Sequence, residues 1–275
     1  MNIFSTELFS LSSLADAMNS AFSDYCIPMR LTAESLATIF RQRSIDRFAS
    51  SVACHENTIV AFWFIGRRGL SSYLIASGTL PEWRRQGLSR RVATDCFRKL
   101  AMSGVASCDL EVIKTNTSAI KLYHNLGFQN VRELMCYNFA AGESTSRTVV
   151  EEATWDEVGG ILDKYQDWNP SWQNRGVGLA QIQDELRCQT VILDDQIVGA
   201  SVVIVPLRTL SQIVVDPVYR RKGIGSSLLK SAISQVPTVP LKLLNVDASD
   251  VGFLGFISRM TGETTLGQLE MRRTF

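Results

Sequence analysis

The sequence predicts an α/β protein made of two similar halves, and three observations support this. The chain has 275 residues, of which 45% are hydrophobic and 20% charged, so it is long enough for two domains with packed cores. A strand, a glycine-containing loop and a one-sided helix follow one another twice, around Pro81–Ser89 and around Pro217–Gly225. Strands and helices alternate within each half, which is the order expected of a sheet covered by helices.

Three landmarks recur in the same order along the chain. The pairs are Glu56 and Asp194 at hairpin turns, Gly87 and Gly223 in the loops, and Asn116 and Asn245 after short strands. The members of these pairs stand 138, 136 and 129 positions apart. We therefore predict two tandem domains, at residues 1–140 and 147–275, separated by the small polar segment 140–146.

The elements around each loop follow from local patterns. In the first half, a strand over Tyr73–Leu80 ends at Pro81, and in the second a strand covers Gln212–Asp216. Apolar residues at spacings of three to four then predict one-sided helices. The first stripe is Leu88, Val92, Ala93, Cys96, Phe97, Leu100 and Ala101, and the second is Ile224, Leu228, Leu229, Ala232, Ile233 and Val236. The predicted solvent face of the first helix is Arg90, Arg91, Asp95, Arg98 and Lys99.

A strand, a glycine loop and a helix N-terminus together form an arrangement that binds phosphate. The first amides of a helix have no helical partner, and the helix dipole favours an anion there. Glycine allows the backbone to approach a ligand closely, and the paired arginines of each loop add positive charge. Neither loop matches the GxxxxGK[ST] pattern of a P-loop or the GxGxxG pattern of a dinucleotide fold. A glycine-tolerant turn with a basic helix start is the structural alternative.

Composition excludes several other classes of function. The net charge of +1 gives no reason to expect nucleic acid or an anionic membrane as partner. The first 20 residues lack a basic start, and no apolar run is long enough to span a membrane. The six cysteines form no CxxC pair and there are only two histidines, so no metal site is expected. We expect a cytoplasmic protein with reduced thiols.

The two loops resemble motif A of the GNAT acetyltransferase superfamily, [QR]-x-x-G-x-[GA]. Arg220-x-x-Gly223-x-Gly225 matches in full, and Arg84-x-x-Gly87-x-Ser89 matches with serine in the last place. The resemblance implies two tandem GNAT folds, each a mixed, splayed, mostly antiparallel sheet flanked by helices, with acetyl-CoA as co-substrate. The implied acetyl-CoA contacts are Thr79, Arg85, Gln86, Gly87, Leu88, Ser89 and Arg90 in the first half, and Val215, Arg221, Lys222, Gly223, Ile224, Gly225 and Ser226 in the second.

The first half also resembles motif B of the same superfamily, N-x-x-A-x-x-[LF]-Y-x-x-x-G-F. Residues 116–128 match every stated position. The resemblance implies that Asn116 contacts the pantetheine arm and that Tyr123 protonates the departing thiolate. The structural alternative is that Tyr123 packs at the edge of the core. In the second half, Phe256 or Ile257 stands in the tyrosine's place, and neither can donate a proton.

The acceptor side is less strongly indicated. Glu111 lies on a strand whose side chains could face the cleft, which makes it a candidate general base; pairing with a neighbouring arginine or lysine is the alternative. By resemblance, Asp24 and Tyr25 contact the acceptor. The segment around Trp168 and Trp172 occupies the matching place in the second half, where it suits a binding surface or an interface.

The expected function is transfer of an acetyl group from acetyl-CoA to a primary amine of a small molecule or peptide, catalysed by the first half. We expect a monomer or homodimer. Two alternatives remain open at the sequence level: catalysis in the second half, where motif A is complete, or a sensor that binds acyl-CoA without transfer.

Overall fold

The structure, a computed structural model, describes residues 1–24, 30–141, 148–236 and 238–275. It divides into two compact units, which we call the N-terminal unit (Met1–Val131 with Leu269–Phe275) and the C-terminal unit (Arg132–Gln268). The division runs through two strands rather than through residues 140–146. Each unit therefore includes a segment that comes from the other half of the sequence.

Strands and helices are mixed along both halves, but the predicted alternation holds only in part, because three antiparallel strands follow one another directly in each half. Up to residue 139 they are β1 (Asn2–Ser5), α1 (Leu11–Ala21), α2 (Ala33–Gln42), β2 (Ile45–His55), β3 (Thr58–Arg68), β4 (Ser71–Thr79), α3 (Leu88–Met102), β5 (Ser107–Ile113), α4 (Thr117–Asn125) and β6 (Gln129–Phe139). From residue 151 they are β7 (Glu151–Ala153), α5 (Trp155–Tyr165), α6 (Gly176–Leu179), β8 (Leu186–Leu193), β9 (Gln196–Ile204), β10 (Thr209–Val215), α7 (Ile224–Ser234), β11 (Leu241–Asp247), α8 (Val251–Arg259) and β12 (Glu263–Thr274).

Each unit contains a mixed, mostly antiparallel sheet, which confirms the predicted fold class. In the N-terminal unit β1, β2, β3 and β4 are antiparallel neighbours, and β5 runs parallel to β4. In the C-terminal unit β7, β8, β9 and β10 are antiparallel neighbours, β11 runs parallel to β10, and β6 pairs antiparallel with β11. Helices α1 and α3 pack on the first sheet, and α5 and α7 pack on the second.

The parallel strand pair of each sheet is splayed. The ladder between β4 and β5 runs only from Ser71 to Tyr73 on β4, although that strand continues to Thr79. The ladder between β10 and β11 covers only Thr209 and Leu210. Beyond these pairs, one edge of β4 and one edge of β10 are not hydrogen-bonded to the neighbouring parallel strand. A slot therefore opens between the two strands in each unit.

A β-bulge lies beside each slot. The partners of β3 skip Ile75 on β4, and the partners of β9 skip Ser211 on β10. These two positions are 136 residues apart, the same interval that separates Gly87 and Gly223. A bulge re-aims the following side chains and increases the local twist. The two slots therefore share their backbone construction.

The two helices that follow the glycine loops differ from other helices of the chain in how their N-termini are capped. Ser10 caps α1 with its side chain, and Thr32 and Thr154 form capping boxes at α2 and α5. The N-cap residues of helices α3 and α7 are instead Gly87 and Gly223, and no side chain caps either helix. The first-turn amides of α3 and α7 therefore have no side-chain capping partner.

Candidate active site

The two glycine loops have the same backbone conformation. Each follows a short 3-10 helix, and each has two residues in the left-handed region. These are Arg85 (φ 63°) and Gly87 (φ 74°) in the N-terminal unit, and Arg221 (φ 65°) and Gly223 (φ 89°) in the C-terminal unit. The left-handed region costs a non-glycine residue roughly 1–2 kcal/mol, so each arginine keeps a strained conformation that shapes the turn.

The loops suit an anionic ligand. Around Gly87 and Gly223 nothing lies within 4 Å of the position where a Cβ would stand, so the space above each turn is open. Leu88 and Ile224 are buried and could offer only their amides to a ligand. Of the other predicted contacts, Arg85, Gln86, Arg90, Arg221 and Lys222 are exposed, and Thr79, Ser89, Val215, Gly225 and Ser226 are partly exposed. These cradles fit a phosphate group.

The first arginine of each motif ties its loop to the preceding segment of the unit. Arg84 donates two hydrogen bonds to the carboxylate of Asp24, at 2.6 and 2.7 Å, and one to the carbonyl of Thr79. Arg220 pairs with Asp167 at 2.8 Å and donates to the carbonyl of Val215. Hydrogen bonding from Arg84 lowers the pKa of Asp24.

This arrangement bears on the predicted acceptor residues. Asp24 lies beside the phosphate loop, where its carboxylate is engaged by Arg84, and the side chain is about half exposed. Tyr25 lies outside the described residues. The site role of each stays a prediction.

Ser89, which replaces the usual small residue of motif A, has a partner. The indole nitrogen of the fully buried Trp63 donates to its hydroxyl at 2.9 Å. At Gly225, an added Cβ would meet the ring of Phe256 at 3.5 Å, an ordinary contact distance. The serine therefore satisfies the buried indole N–H of Trp63.

Tyr123 lies on α4 and reaches β4. Its hydroxyl stands 3.0 Å from the Ser77 hydroxyl, at a point on β4 beyond the end of the ladder with β5. The residue is 8% exposed, and its ring packs edge-on against Trp63 and Phe128. These contacts fix the phenol at the slot with its polar end towards β4. Sequence analysis did not single out Ser77, because nothing in the strand pattern marks that hydroxyl.

Asn116 is the N-cap of α4, where its side-chain oxygen accepts from the amide of Ala119 at 3.1 Å. Asp250 plays the same part at α8, 134 positions later. This interval aligns Tyr123 with Ile257, which is likewise the buried residue of its helix. The sequence-based pairing of Asn116 with Asn245 is wrong, since Asn245 lies within β11.

Glu111 lies on β5 just beyond the splay. The hydroxyl of Tyr73 donates a hydrogen bond to its Oε2, whereas Oε1 is buried with no hydrogen-bond partner among the described residues. The pKa of Glu111 is raised to about 7, chiefly by burial and also by the charges of Glu270 and Asp109, against the lowering effects of Tyr73 and Arg43. A carboxyl group that titrates near neutral pH is suited to accept a proton.

The slot of the C-terminal unit is filled by its own chain. Asn174 donates to the carbonyl of Leu244 on β11 at 3.0 Å, and its side-chain oxygen accepts from Ser211 on β10 at 3.1 Å. The backbone carbonyl of Asn174 accepts from the side chain of Gln212. The buried amide thus bridges the two strands where they part, and only a small pocket lies beside it.

The two tryptophans singled out by sequence have different settings in this unit. Trp168 lines the pocket and packs edge-on against Phe253, with ring centroids 4.7 Å apart. Trp172 is 1% exposed and belongs to the core. Only Trp168 is therefore placed to contact a ligand.

The described residues offer neither a helix suited to span a membrane nor a cluster of metal ligands. None of their helices is both long and apolar enough to cross a membrane. Within the same part of the chain, no three His, Cys, Asp or Glu side chains come together as metal ligands would.

Two family models match the chain, one in each half. The model described as FR47-like protein matches residues 53–137, and the model of the acetyltransferase (GNAT) family matches residues 151–255. Each match contains one glycine loop.

Among curated proteins, the chain is similar to a [ribosomal protein bS18]-alanine N-acetyltransferase of Escherichia coli K12. The identity is 44% over 48 residues, which are 18% of this chain and 32% of the relative. The chain thus spans about a third of the length of the curated relatives it matches.

The solved structures that resemble the whole chain include a bacterial enzyme and a tandem protein. A GCN5-related N-acetyltransferase from Sphaerobacter thermophilus has a TM-score of 0.76 at 13% identity, over 99% of this chain and 95% of that one. A tandem GNAT protein from the clavulanic acid biosynthesis pathway has a TM-score of 0.74 at 9% identity, over 96% and 94% of the two chains. With two splayed sheets, two phosphate-type loops and these matches, the chain belongs to the GNAT acetyltransferase family and carries two GNAT folds in tandem.

Proposed function

We propose that the N-terminal unit transfers an acetyl group from acetyl-CoA to a primary amine by direct attack. The observation that carries this proposal is the hydroxyl of Tyr123 at the slot beside β4, where the C-terminal unit has Ile257. An acyl transfer from a thioester needs a group that can protonate the leaving thiolate. Among these two aligned side chains, only the tyrosine has a proton to give.

The phosphate loop would hold the nucleotide end of acetyl-CoA. The uncapped amides at the start of α3 and the left-handed turn at Arg85 and Gly87 supply donors and positive charge. The edge of β4 beyond Tyr73 is not paired with β5, so its backbone groups are available to an extended arm and a thioester carbonyl. Asn116 caps α4 shortly after β5 ends. It stays a predicted contact of the pantetheine arm.

The proton transfers are assigned to two residues. Glu111 takes a proton from the acceptor's ammonium group, which leaves a neutral amine to attack the thioester carbon. The new C–N bond forms, the C–S bond breaks, and Tyr123 gives its proton to the sulfur. A thiol has a pKa of about 8.5 and tyrosine about 10, so the phenol can serve as the acid once it is held close to the sulfur.

The acceptor is proposed as a class only, a primary amine on a small molecule or a peptide. The name of the Escherichia coli relative says that it acetylates an alanine of ribosomal protein bS18. We therefore give peptides with a free N-terminal alanine a place in the substrate panel beside small amines. A cytoplasmic location and a monomeric or homodimeric state stay predictions.

The test measures thiol release from acetyl-CoA with this panel. The variants are wild type, Tyr123→Phe and Gly223→Glu, with Tyr137→Phe as a buried tyrosine control in the C-terminal unit. We expect Tyr123→Phe to lower kcat about 100-fold, because acid catalysis typically contributes about that much. Gly223→Glu places a negative charge in the second loop and should leave kcat/KM within about twofold, since a different unit carries the reaction.

Two other outcomes point to other functions. If Tyr123→Phe keeps full activity and Gly223→Glu abolishes it, catalysis belongs to the C-terminal unit. Tight binding of acetyl-CoA with no turnover of any amine would identify a sensor instead. Calorimetry with CoA gives the number of occupied loops and is independent of turnover.

A further inference from the structure

The candidate base Glu111 is surrounded by charged and polar groups from several elements of the N-terminal unit. Tyr73 approaches it from β4, Arg43 from the end of α2, Glu270 from β12 and Asp109 from its own strand. Tyr73 is 3% exposed and Glu270 is 5% exposed. These buried neighbours shield part of the cluster from water, whereas Glu111 itself is partly exposed. Interactions among the charges of the cluster are therefore stronger than at the surface.

The two carboxyl oxygens of Glu111 differ in their surroundings. Oε2 accepts the hydrogen bond of Tyr73, and Oε1 is buried with no hydrogen-bond partner among the residues described. Burial and the adjacent Glu111 raise the pKa of Tyr73 well above its usual value, so the phenol remains a donor. A carboxylate held by one oxygen keeps the lone pairs of the other for a new donor.

Arg43 has a fixed position beside this carboxylate. Its Nη1 donates to the carbonyl of Ile75 at 3.2 Å, the residue that forms the β-bulge on β4. The carbonyl of Ile75 in the bulge thus accepts a hydrogen bond from the guanidinium of Arg43 at the end of α2. Asp109 is already engaged, because Arg272 binds both of its oxygens at 2.6 and 2.8 Å.

We propose that Tyr73 and Arg43 are positioning residues for Glu111. Tyr73 fixes Oε2, Arg43 holds positive charge beside the carboxylate, and Oε1 is left to receive the proton of the acceptor's amine. This inference rests on the proposed acetyl transfer for its catalytic meaning. In the structure itself, Oε2 accepts a hydrogen bond and Oε1 has no partner among the described residues. This arrangement can be tested without turnover.

The cluster predicts shifts of opposite sign in the pH dependence of kcat/KM. Glu111 must be ionised to act as base, so activity rises with pH through its pKa, which is about 7. Tyr73→Phe removes a hydrogen bond to the charged form and should move the acid limb up by about one pH unit, a roughly tenfold loss at the low end. Arg43→Met should also move it up, and Glu270→Gln should move it down, because a like charge is lost.

The matched control is Tyr137→Phe, a buried tyrosine of the C-terminal unit, which should leave the acid limb in place. If Tyr73→Phe lowers activity equally at every pH, Tyr73 only packs and the proposal is overturned. An upward shift in Glu270→Gln would overturn it as well, since the charge of Glu270 would then not act on Glu111.

A second readout needs no substrate. Carbon-13 in the side-chain carboxyl groups of glutamate, with Glu111→Gln to assign the signal, reports the titration of Glu111 directly by NMR. We expect the midpoint to move up in Tyr73→Phe and down in Glu270→Gln. If these shifts occur and no amine is acetylated, the proposed function fails while the positioning inference stands. Unmoved midpoints in an active enzyme would reject the inference alone.

Discussion

The slots of the two units have the same backbone and different contents. In both, a parallel strand pair parts after two or three residues, a bulge follows, and a left-handed turn leads into an uncapped helix. In the N-terminal unit, the hydroxyl of Tyr123 reaches β4 beyond the end of the ladder, and Glu111 lies on β5 just past it. In the C-terminal unit, Asn174 bridges the strands and Ile257 takes the tyrosine's place.

Under the proposed function, a phosphate-type loop is not sufficient for a reaction site. The better match to motif A belongs to the C-terminal unit, which has Gly225 where the N-terminal unit has Ser89. The groups suited to acid–base chemistry lie in the other unit. A phosphate cradle depends on the backbone, whereas proton transfer depends on particular side chains, so the two properties can diverge independently.

The largest expected effect on stability is that of Asn174→Ala, which tests the contrast between the two slots. The change leaves the buried carbonyl of Leu244 and the hydroxyl of Ser211 without their partner. We expect the free energy of unfolding to fall by about 2–3 kcal/mol, the range for unsatisfied buried polar groups. Urea denaturation followed by tryptophan fluorescence measures it.

Asn169→Ala is the matched control, because Asn169 is exposed in the same segment. It should change the free energy of unfolding by less than about 0.5 kcal/mol. Equal effects of the two substitutions would mean that the hydrogen bonds of Asn174 across the slot do not stabilise the unit.

The next prediction uses a polar network that the two units build differently. In the N-terminal unit, Ser51 on β2 meets Asp95 and Lys99 on α3, each at 2.8 Å. At the corresponding positions, Gln189 on β8 donates to Ser231 on α7 at 2.6 Å. One network is charged and the other neutral, so only the first should respond to pH.

Asp95→Asn tests that contrast. Hydrogen bonds from Lys99, Arg98 and Ser51 outweigh burial and lower the pKa of Asp95 to about 2. A depressed carboxylate pKa stabilises the fold above the unfolded value of about 4, and the contribution is lost as pH falls towards 2. After allowing for partial exposure, we expect a loss of about 1–2 kcal/mol at neutral pH that disappears in acid.

Thermal unfolding at a series of pH values follows this effect. Ser231→Ala, in the neutral network, is the control and should cost the same at every pH. A pH-independent effect of Asp95→Asn would show that the carboxylate contributes packing alone.

Much of the local structure could be predicted from the sequence. The stripe that begins at Leu88 and the one that begins at Ile224 became α3 and α7, and motif B marked Tyr123. These features depend on residues close together in the chain. Periodicity and short motifs report such features well.

Features that depend on distant partners could not be predicted. Lys99 was assigned to the solvent face of its helix, but it is 8% exposed because Ser51 reaches it from 48 positions away. Asn174 bonds a residue 70 positions later, and no spacing rule connects them. The pairing of Asn116 with Asn245 relied on residue type, whereas the shared role is capping, which Asp250 performs.

A smaller effect is expected at the last place of motif A. Ser89→Ala leaves the indole N–H of Trp63 buried without its acceptor and should lower the free energy of unfolding by about 1–2 kcal/mol. Gly225→Ser, the reverse change in the C-terminal unit, should cost less than about 1 kcal/mol, since the added Cβ meets only ordinary contacts. If both cost the same, the hydrogen bond to Trp63 is not what distinguishes the two loops.

The smallest effect on kinetics is expected for a substitution of Asp24. The result distinguishes an ion pair beside the acetyl-CoA loop from a contact with the acceptor. The ion pair of Asp24 with Arg84 is exposed, and Arg84 keeps its bonds to the carbonyls of Thr79 and Ala21 without it. Asp24→Asn should therefore change the KM for acetyl-CoA by less than about twofold, and salt near 0.5 M should remove the difference. Asp167→Asn is the matched change in the C-terminal unit. A rise in the KM of the amine with no change for acetyl-CoA would instead assign Asp24 to the acceptor, as the family resemblance implies.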